Sequence, residues 1–179
     1  MKINYRKVCI DDAYGYEMVS AYSWYDTYYD MLPHDMLEER VDRLNNPSEL
    51  NKKILTINEH ILNKSDNIFV AYDEDLMVGF VEVGNSRVEN SGYGYLGALY
   101  VLSEYHNQGI GSQLFKLGVM RLIEMGYSKM ELLCMEKNPA LNFYKKYGGV
   151  VSDKIDYPIY GINVKADVVL FENIKDIIK

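Results

Sequence analysis

The chain is poor in cysteine, proline, tryptophan and positive charge. Its 179 residues hold two cysteines, four prolines, one tryptophan and three histidines. Cys9 and Cys134 lie far apart. With no signal peptide at the start, the expectation is a reduced, cytoplasmic interior. No apolar run approaches the length of a membrane span, so no membrane association is expected. Basic residues number 19 against 26 acidic ones, a formal charge of −7. That balance argues against nucleic-acid binding. It suits a cationic acceptor such as an amine, although many soluble proteins are equally acidic. There is no internal repeat, low-complexity tract or linker. At 48% apolar residues the sequence is globular, and its length suits one domain over residues 1–179 with a sizeable core.

What is present is an ordered alternation of strand and helix patterns. Ile3 to Ile10 alternates as a first strand. Asp11 or Asp12 is placed to cap a helix starting near Ala13, whose stripe of Tyr14, Met18, Tyr22 and Tyr25 reads at most of its positions as core packing. Pro33 ends it, and Asp35 is placed to cap a second helix from Met36 to about Asn45. Ser48 is placed to cap a third, Glu49 to Leu62, with Ile54, Ile57 and Ile61 as its apolar stripe. Ile68–Tyr72 and Met77–Val83 read as a hairpin around Asp73–Asp75. Tyr95–Val101 is a strand, followed by a polar hinge and a helix ending at Gly126. Lys129–Met135, a helix from Pro139 to Tyr147, and two last strands, Val150–Ile155 and Asn163–Phe171, complete the chain. The order gives a mixed α/β fold.

The chemistry gathers around Gly109-Ile110-Gly111-Ser112, where a strand passes through a loop into a helix. The first turn of a helix offers unpaired backbone N–H groups and the positive end of the helix dipole, and glycines let a phosphate come close. A turn that merely needs glycine would look similar. Three phosphate motifs can be compared. A nucleoside-triphosphate loop needs lysine after the glycine, and Ser112 and Gln113 stand there instead. A dinucleotide fingerprint needs glycine where Leu114 stands and a tighter turn after Val101, although Glu131 lies near the place for its ribose-binding acid. The third is the pyrophosphate loop of acyl-CoA-dependent N-acetyltransferases.

A second cluster, Asn138-Pro139-Ala140-Leu141-Asn142-Phe143-Tyr144 leading to Gly148, lies downstream. Together the two resemble the GNAT superfamily of N-acetyltransferases. That family carries Arg/Gln-x-x-Gly-x-Gly/Ala after its fourth strand and Asn-x-x-Ala-x-x-Phe-Tyr-x-x-x-Gly after its fifth. The first pattern is present as His106-x-x-Gly109-x-Gly111, with an altered leading residue. The second is met at Asn138, Phe143, Tyr144 and Gly148, with Ala140 one place early. Ser23-Trp24 to Leu32-Pro33 is similar to one branch of the family, so the likeness extends over about residues 1–172.

The resemblance implies a mostly antiparallel twisted sheet, flanked by helices, with its fourth and fifth strands splayed. It implies acetyl-CoA as co-substrate, with no metal called for. The backbone of Leu99, Tyr100 and Val101 would hold the pantetheine arm. His106, Asn107, Gly109, Ile110, Gly111 and Ser112 would hold the pyrophosphate, and Asn138 would bond the cofactor arm or cap a helix. Trp24, Tyr28 and Tyr29 would line the acceptor pocket, or be core. Tyr144 is the candidate acid for the departing thiolate, although in a chain with 17 tyrosines it can equally be a packed aromatic. Tyr95 stands near the place of the family's strand-four glutamate, so Glu82 is the substitute candidate base, with Glu104 behind it and bulk water as another acceptor. The acceptor would be the amine of a small molecule, peptide or protein, and a homodimer is compatible with the reading. The rival reading is a GNAT-like module that holds acyl-CoA with little turnover. An unrelated nucleotide binder that uses the glycine loop alone is the third.

Overall fold

A computed structural model describes residues 2–179. Seven strands form one sheet in the order β1-β2-β3-β4-β5-β7-β6. They are β1 (Ile3–Lys7), β2 (Ile68–Asp73), β3 (Leu76–Asn85), β4 (Gly94–Val101), β5 (Met130–Met135), β6 (Val150–Ile159) and β7 (Ile162–Phe171). The helices are α1 (Ala13–Tyr28), α2 (His34–Asp42), α3 (Pro47–Lys64), α4 (Ile110–Glu124) and α5 (Ala140–Lys146). The pairings β1–β2, β2–β3, β5–β7 and β6–β7 are antiparallel. β4 and β5 run parallel, registered at Gly94↔Met130 and Tyr95↔Glu131, the first two residues of β4. No helix among the described residues is long and apolar enough to cross a membrane.

By packing the chain divides into two compact units. One gathers the chain up to Glu82 together with Ala98–Gly118, and the other holds Val83–Gly97 and Val119–Lys179. In the first unit Val8, Val19, Ile57, Ile61, Ile68, Val70 and Phe80 are buried together. Ile57 and Ile61 come from the expected stripe of α3, and burying each contributes about 2 kcal/mol. A Cβ at Gly15 would lie 2.9 Å from the Met77 Cβ, so α1 rests directly on β3 only because that residue is glycine. In the second unit Leu96, Val119, Leu122, Met130, Leu132, Val169, Phe171 and Ile174 are buried. Gly126 (φ 94°) ends α4, with N–H bonds from Gly126 to the Ile123 carbonyl and from Tyr127 to the Leu122 carbonyl.

Several local expectations are corrected. The aromatic stripe of α1 is not core throughout: Tyr14 and Tyr22 are exposed, and the buried face runs through Glu17, Met18, Val19, Ala21 and Ser23. Asp12 does not cap α1. Its carboxylate accepts bonds from both Arg6 guanidinium nitrogens (2.6 and 2.7 Å), the Cys9 N–H and the Tyr72 hydroxyl, which fastens β1, β2 and the helix start to one anion. α2 begins at His34, which puts Asp35 inside its first turn. Asn46, not Ser48, caps α3, accepting from the Glu49 N–H, because Pro47 already occupies the first helical turn. β6 continues through Tyr157 and Pro158, with the turn at Tyr160–Gly161. Proline is tolerated there because β6 is the edge strand. A closing 3-10 turn, Ile174–Ile178, buries Ile174 and Ile177 and was not expected.

Candidate active site

In the first unit the loop after β4 is shaped by two left-handed residues, Asn107 (φ 60°) and Gly109 (φ 83°). His106 Nε2 lies 2.8 Å from the Val101 carbonyl, so this ring donates back to the end of β4. Gln108 donates to the Glu104 carbonyl at 2.9 Å. The Gln113 N–H bonds to the Gly109 carbonyl at 3.0 Å, which makes Gly109 the cap of α4. The N–H groups of Ile110, Gly111 and Ser112 therefore lie in the first turn, where no carbonyl of the same helix reaches them. Ile110, Leu114, Phe115 and Leu122 are fully buried and hold the helix down. A Cβ at Gly111 would meet only Val101 Cγ2, at 3.8 Å, and one at Gly109 would meet nothing within 4 Å. Protein packing does not require glycine at Gly111. The first turn also carries no acid, although an acid there would favour the helix. Open space, unpaired donors and the dipole's positive end together make an anion cradle.

The strand leading to the cradle is half-buried at Leu99, Tyr100 and Val101. A Cβ at Gly79 would lie 2.7 Å from the Tyr100 carbonyl, so glycine lets β3 and β4 lie close there. On the α1 side Tyr100 begins an aromatic wall. Its hydroxyl accepts from the Trp24 indole at 2.9 Å. Trp24 stands edge-on to Tyr28 at 5.0 Å, and the Arg40 guanidinium lies 4.4 Å above the indole. Arg40 is buried and donates to Ser20 Oγ at 2.9 Å. Tyr28 is buried, whereas Tyr29 is exposed and stacks on His34 at 4.1 Å. Of the three expected pocket residues, Trp24 and Tyr28 thus meet each other and Tyr29 turns to the surface.

The same wall continues from Tyr100 to Phe80 (5.5 Å) and from Phe80 to Tyr16 (4.1 Å, stacked). It ends at Glu82, on which three groups converge. Tyr16 donates to Oε2 at 3.0 Å, His60 Nε2 lies 2.8 Å from the same oxygen, and Lys64 Nζ is 3.1 Å from Oε1. Burial alone would push the Glu82 carboxyl up; the hydrogen bond and charge of His60, with Lys64, outweigh it and hold the carboxyl at about 2. Burial, with Glu82 behind it, pushes the Tyr16 phenol well up, so it stays a donor. Glu104, by contrast, is an exposed loop acid that accepts from Ser103 at 3.3 Å.

Sequence reasoning missed Tyr16, His60 and Lys64. A signal existed. Glu82 is a lone acid in an apolar strand, and His60 and Lys64 are four apart on α3 and so share a helix face. Their convergence, across 18 to 22 residues of chain, needed the structure.

In the second unit Tyr144 is buried on α5, its ring edge-on to Phe143 at 5.4 Å. Asn138 Oδ1 accepts from the Ala140 N–H at 2.9 Å, but Pro139, not Asn138, stands at the cap position of α5. A Cβ at Gly149 would lie 2.8 Å from both Phe171 and Val169 and 3.0 Å from the Tyr144 carbonyl; glycine there lets the end of α5 settle on β7. Tyr95 lies beneath the Arg87 guanidinium (5.0 Å), which donates to the Tyr157 hydroxyl at 2.6 Å.

The sequence profile described as "Acetyltransferase (GNAT) family" matches residues 19–149. The "Uncharacterized N-acetyltransferase YuaI" of Bacillus subtilis (strain 168) is 30% identical over 165 residues, which is 91% of this chain and 89% of that protein. The PaiA N-acetyltransferase of Thermoplasma acidophilum, crystallised in complex with coenzyme A, has a similar fold. Its TM-score is 0.65 at 22% identity, covering 93% of this chain and 98% of that one. YncA, a putative acetyltransferase from Salmonella typhimurium crystallised with acetyl-CoA, gives 0.62 at 14% identity, covering 94% and 92%. A profile match over most of the chain and a relative of nearly full length agree with the two motifs: the chain belongs to the GNAT family of acetyltransferases.

Proposed function

We propose that the chain is one acetyltransferase domain that moves the acetyl group of acetyl-CoA to a primary amine by direct attack on the thioester. The observation that carries this reading is the first turn of α4: unpaired N–H groups of Ile110, Gly111 and Ser112, open space at both glycines, and no acid. A pyrophosphate fits that chemistry. The Leu99–Val101 backbone would hold the pantetheine arm beside it, with an N–H facing the thioester oxygen as charge develops. Asn138 would bond the cofactor arm, and Trp24, Tyr28 and Tyr29 would shape the acceptor side.

The reaction then balances as follows. A neutral amine forms the C–N bond at the thioester carbon, and the carbonyl pair moves to oxygen. The pair returns, the C–S bond breaks, and the sulfur takes a proton from the Tyr144 phenol. The second N–H proton, made acidic by the new C–N bond, restores the phenol. One proton per turnover leaves from the original ammonium, on the side where Glu82 lies.

A thermal shift with acetyl-CoA, NAD and ATP in parallel tests the cofactor assignment. A ligand at a hundredfold its dissociation constant stabilises by about 2.7 kcal/mol, roughly 5 to 10 °C for a chain of this length. A rise with acetyl-CoA alone is expected. A rise with NAD or ATP and none with acetyl-CoA overturns the reading.

A further inference from the structure

We propose that His60 is the proton acceptor for the incoming ammonium, and that Glu82 is the residue that positions it. The proposal rests on the acetyl-transfer reading and deepens it.

The argument begins with hydrogen-bond roles. Glu82 is ionised and can only accept. The 2.8 Å contact therefore requires His60 Nε2 to carry the hydrogen. The imidazole lone pair is then on Nδ1. Among the described residues Nδ1 has no hydrogen-bond partner, and the side chain is 34% exposed. A carboxylate that holds one nitrogen as a donor orients the ring and leaves the lone pair of the neutral imidazole on the other.

Glu82 is a poor base by comparison. Its carboxyl is held at about 2. A carboxylate held this far below the usual carboxylate range takes a proton from an alkylammonium poorly. The anion is worth more as a fixed partner. Tyr16 also donates to Oε2 and Lys64 lies on Oε1, so both carboxylate oxygens are tethered and the group is held against the ring.

The surroundings are accounted for. Tyr16 faces His60 from α1 at 6.1 Å between ring centres, Glu82 faces it from β3, and Lys64 shares Glu82 from the next turn of α3. The nearby buried acids are engaged elsewhere: Glu17 with Arg43, and Asp12 with Arg6 and Tyr72. The cluster also belongs to the same aromatic layer as Tyr100, whose strand edge is the proposed place of the thioester. In the step proposed, the ammonium N–H bond breaks, its pair stays on nitrogen, and the proton passes to Nδ1 directly or through one water. His60 then returns it to solvent.

The alternative is that the cluster only fastens α3 to β3. His60→Gln separates the two. The glutamine amide can still donate to Glu82 but has no titrating lone pair. Melting temperature and acetyl-CoA affinity should match wild type. The kcat/KM for the amine should fall about 10²-fold, with the acidic limb of its pH profile lost. In His60→Ala, added imidazole should restore part of the rate. Wild-type kcat/KM and pH profile in His60→Gln would overturn the proposal alone. If His60→Gln melts early, His60→Ala decides, and failure of imidazole to restore any rate overturns the proposal. If wild type releases no thiol with any amine, the acetyl-transfer reading itself falls.

Discussion

Placing an acid at Gly111 should stabilise the free protein and disable the cofactor site. Gly111 is the second residue of α4, and its added Cβ would meet only Val101 Cγ2 at 3.8 Å. Gly111→Asp therefore meets no steric obstacle. Replacing glycine in a helix recovers a few tenths of a kcal/mol, and an acid in the first turn adds 0.3–1 kcal/mol through the dipole. A gain of about 1 kcal/mol corresponds to a melting temperature higher by about 2 to 4 °C. The same carboxylate would face two pyrophosphate charges; at ~6 Å and an effective dielectric of about 40 each repels it by ~1.4 kcal/mol, ~3 kcal/mol together, which is ~100-fold in dissociation constant. Calorimetric titration with acetyl-CoA at low salt, paired with a ligand-free melt, reads both effects. Added salt should narrow the affinity gap. A variant that melts higher and binds acetyl-CoA within threefold of wild type would refute the cradle, because the helix effect would be present and the phosphate effect absent.

Three other substitutions or conditions follow from the structure. Tyr144→Phe should lower turnover about 10²-fold or more while changing acetyl-CoA affinity little; unchanged turnover removes the acid role. Gly149→Ala should cost ~1–3 kcal/mol, since the new Cβ would lie 2.8 Å from Phe171 and Val169, and a melt several degrees lower would report it. Acid should unfold the chain through two carboxyls. Burial pushes each up, but Arg6 and Tyr72 for Asp12, and His60 and Lys64 for Glu82, hold both at about 2. Because these values are depressed, the stabilisation is complete above about pH 4.5 and is lost as pH falls toward 2. A urea midpoint flat from pH 5 to 2.5 would contradict that.

The elements were legible because their signals are local. The Ile54–Ile57–Ile61 stripe, the Gly126 stop and the two apolar runs that flank the Asp73–Asp75 turn each lie within a few residues. The two motifs carried the family, and the cradle's glycines stand at the strand-to-helix turn they imply. What could not be read depends on contacts between distant segments. Asp12 looked like a helix cap because nothing local points to Arg6 and Tyr72 as its partners. Tyr14 and Tyr22 have core spacing, yet α1 turns a different stripe inward because Gly15 lets it rest on Met77. Glu82 stands out in the sequence only as a substitute for the strand-four glutamate whose place Tyr95 takes. That His60 and Lys64 reach it from α3 was invisible, because helical spacing shows which residues share a face and not what that face meets.

The most direct test of the account is amine-dependent release of the coenzyme A thiol from acetyl-CoA, followed with a thiol reagent across a panel of primary amines and short peptides. The account expects release that depends on both the amine and the protein, with an acetylated amine in equal amount. Tight acetyl-CoA binding with no release for any acceptor would contradict it and leave a protein that holds acyl-CoA without transferring the acyl group.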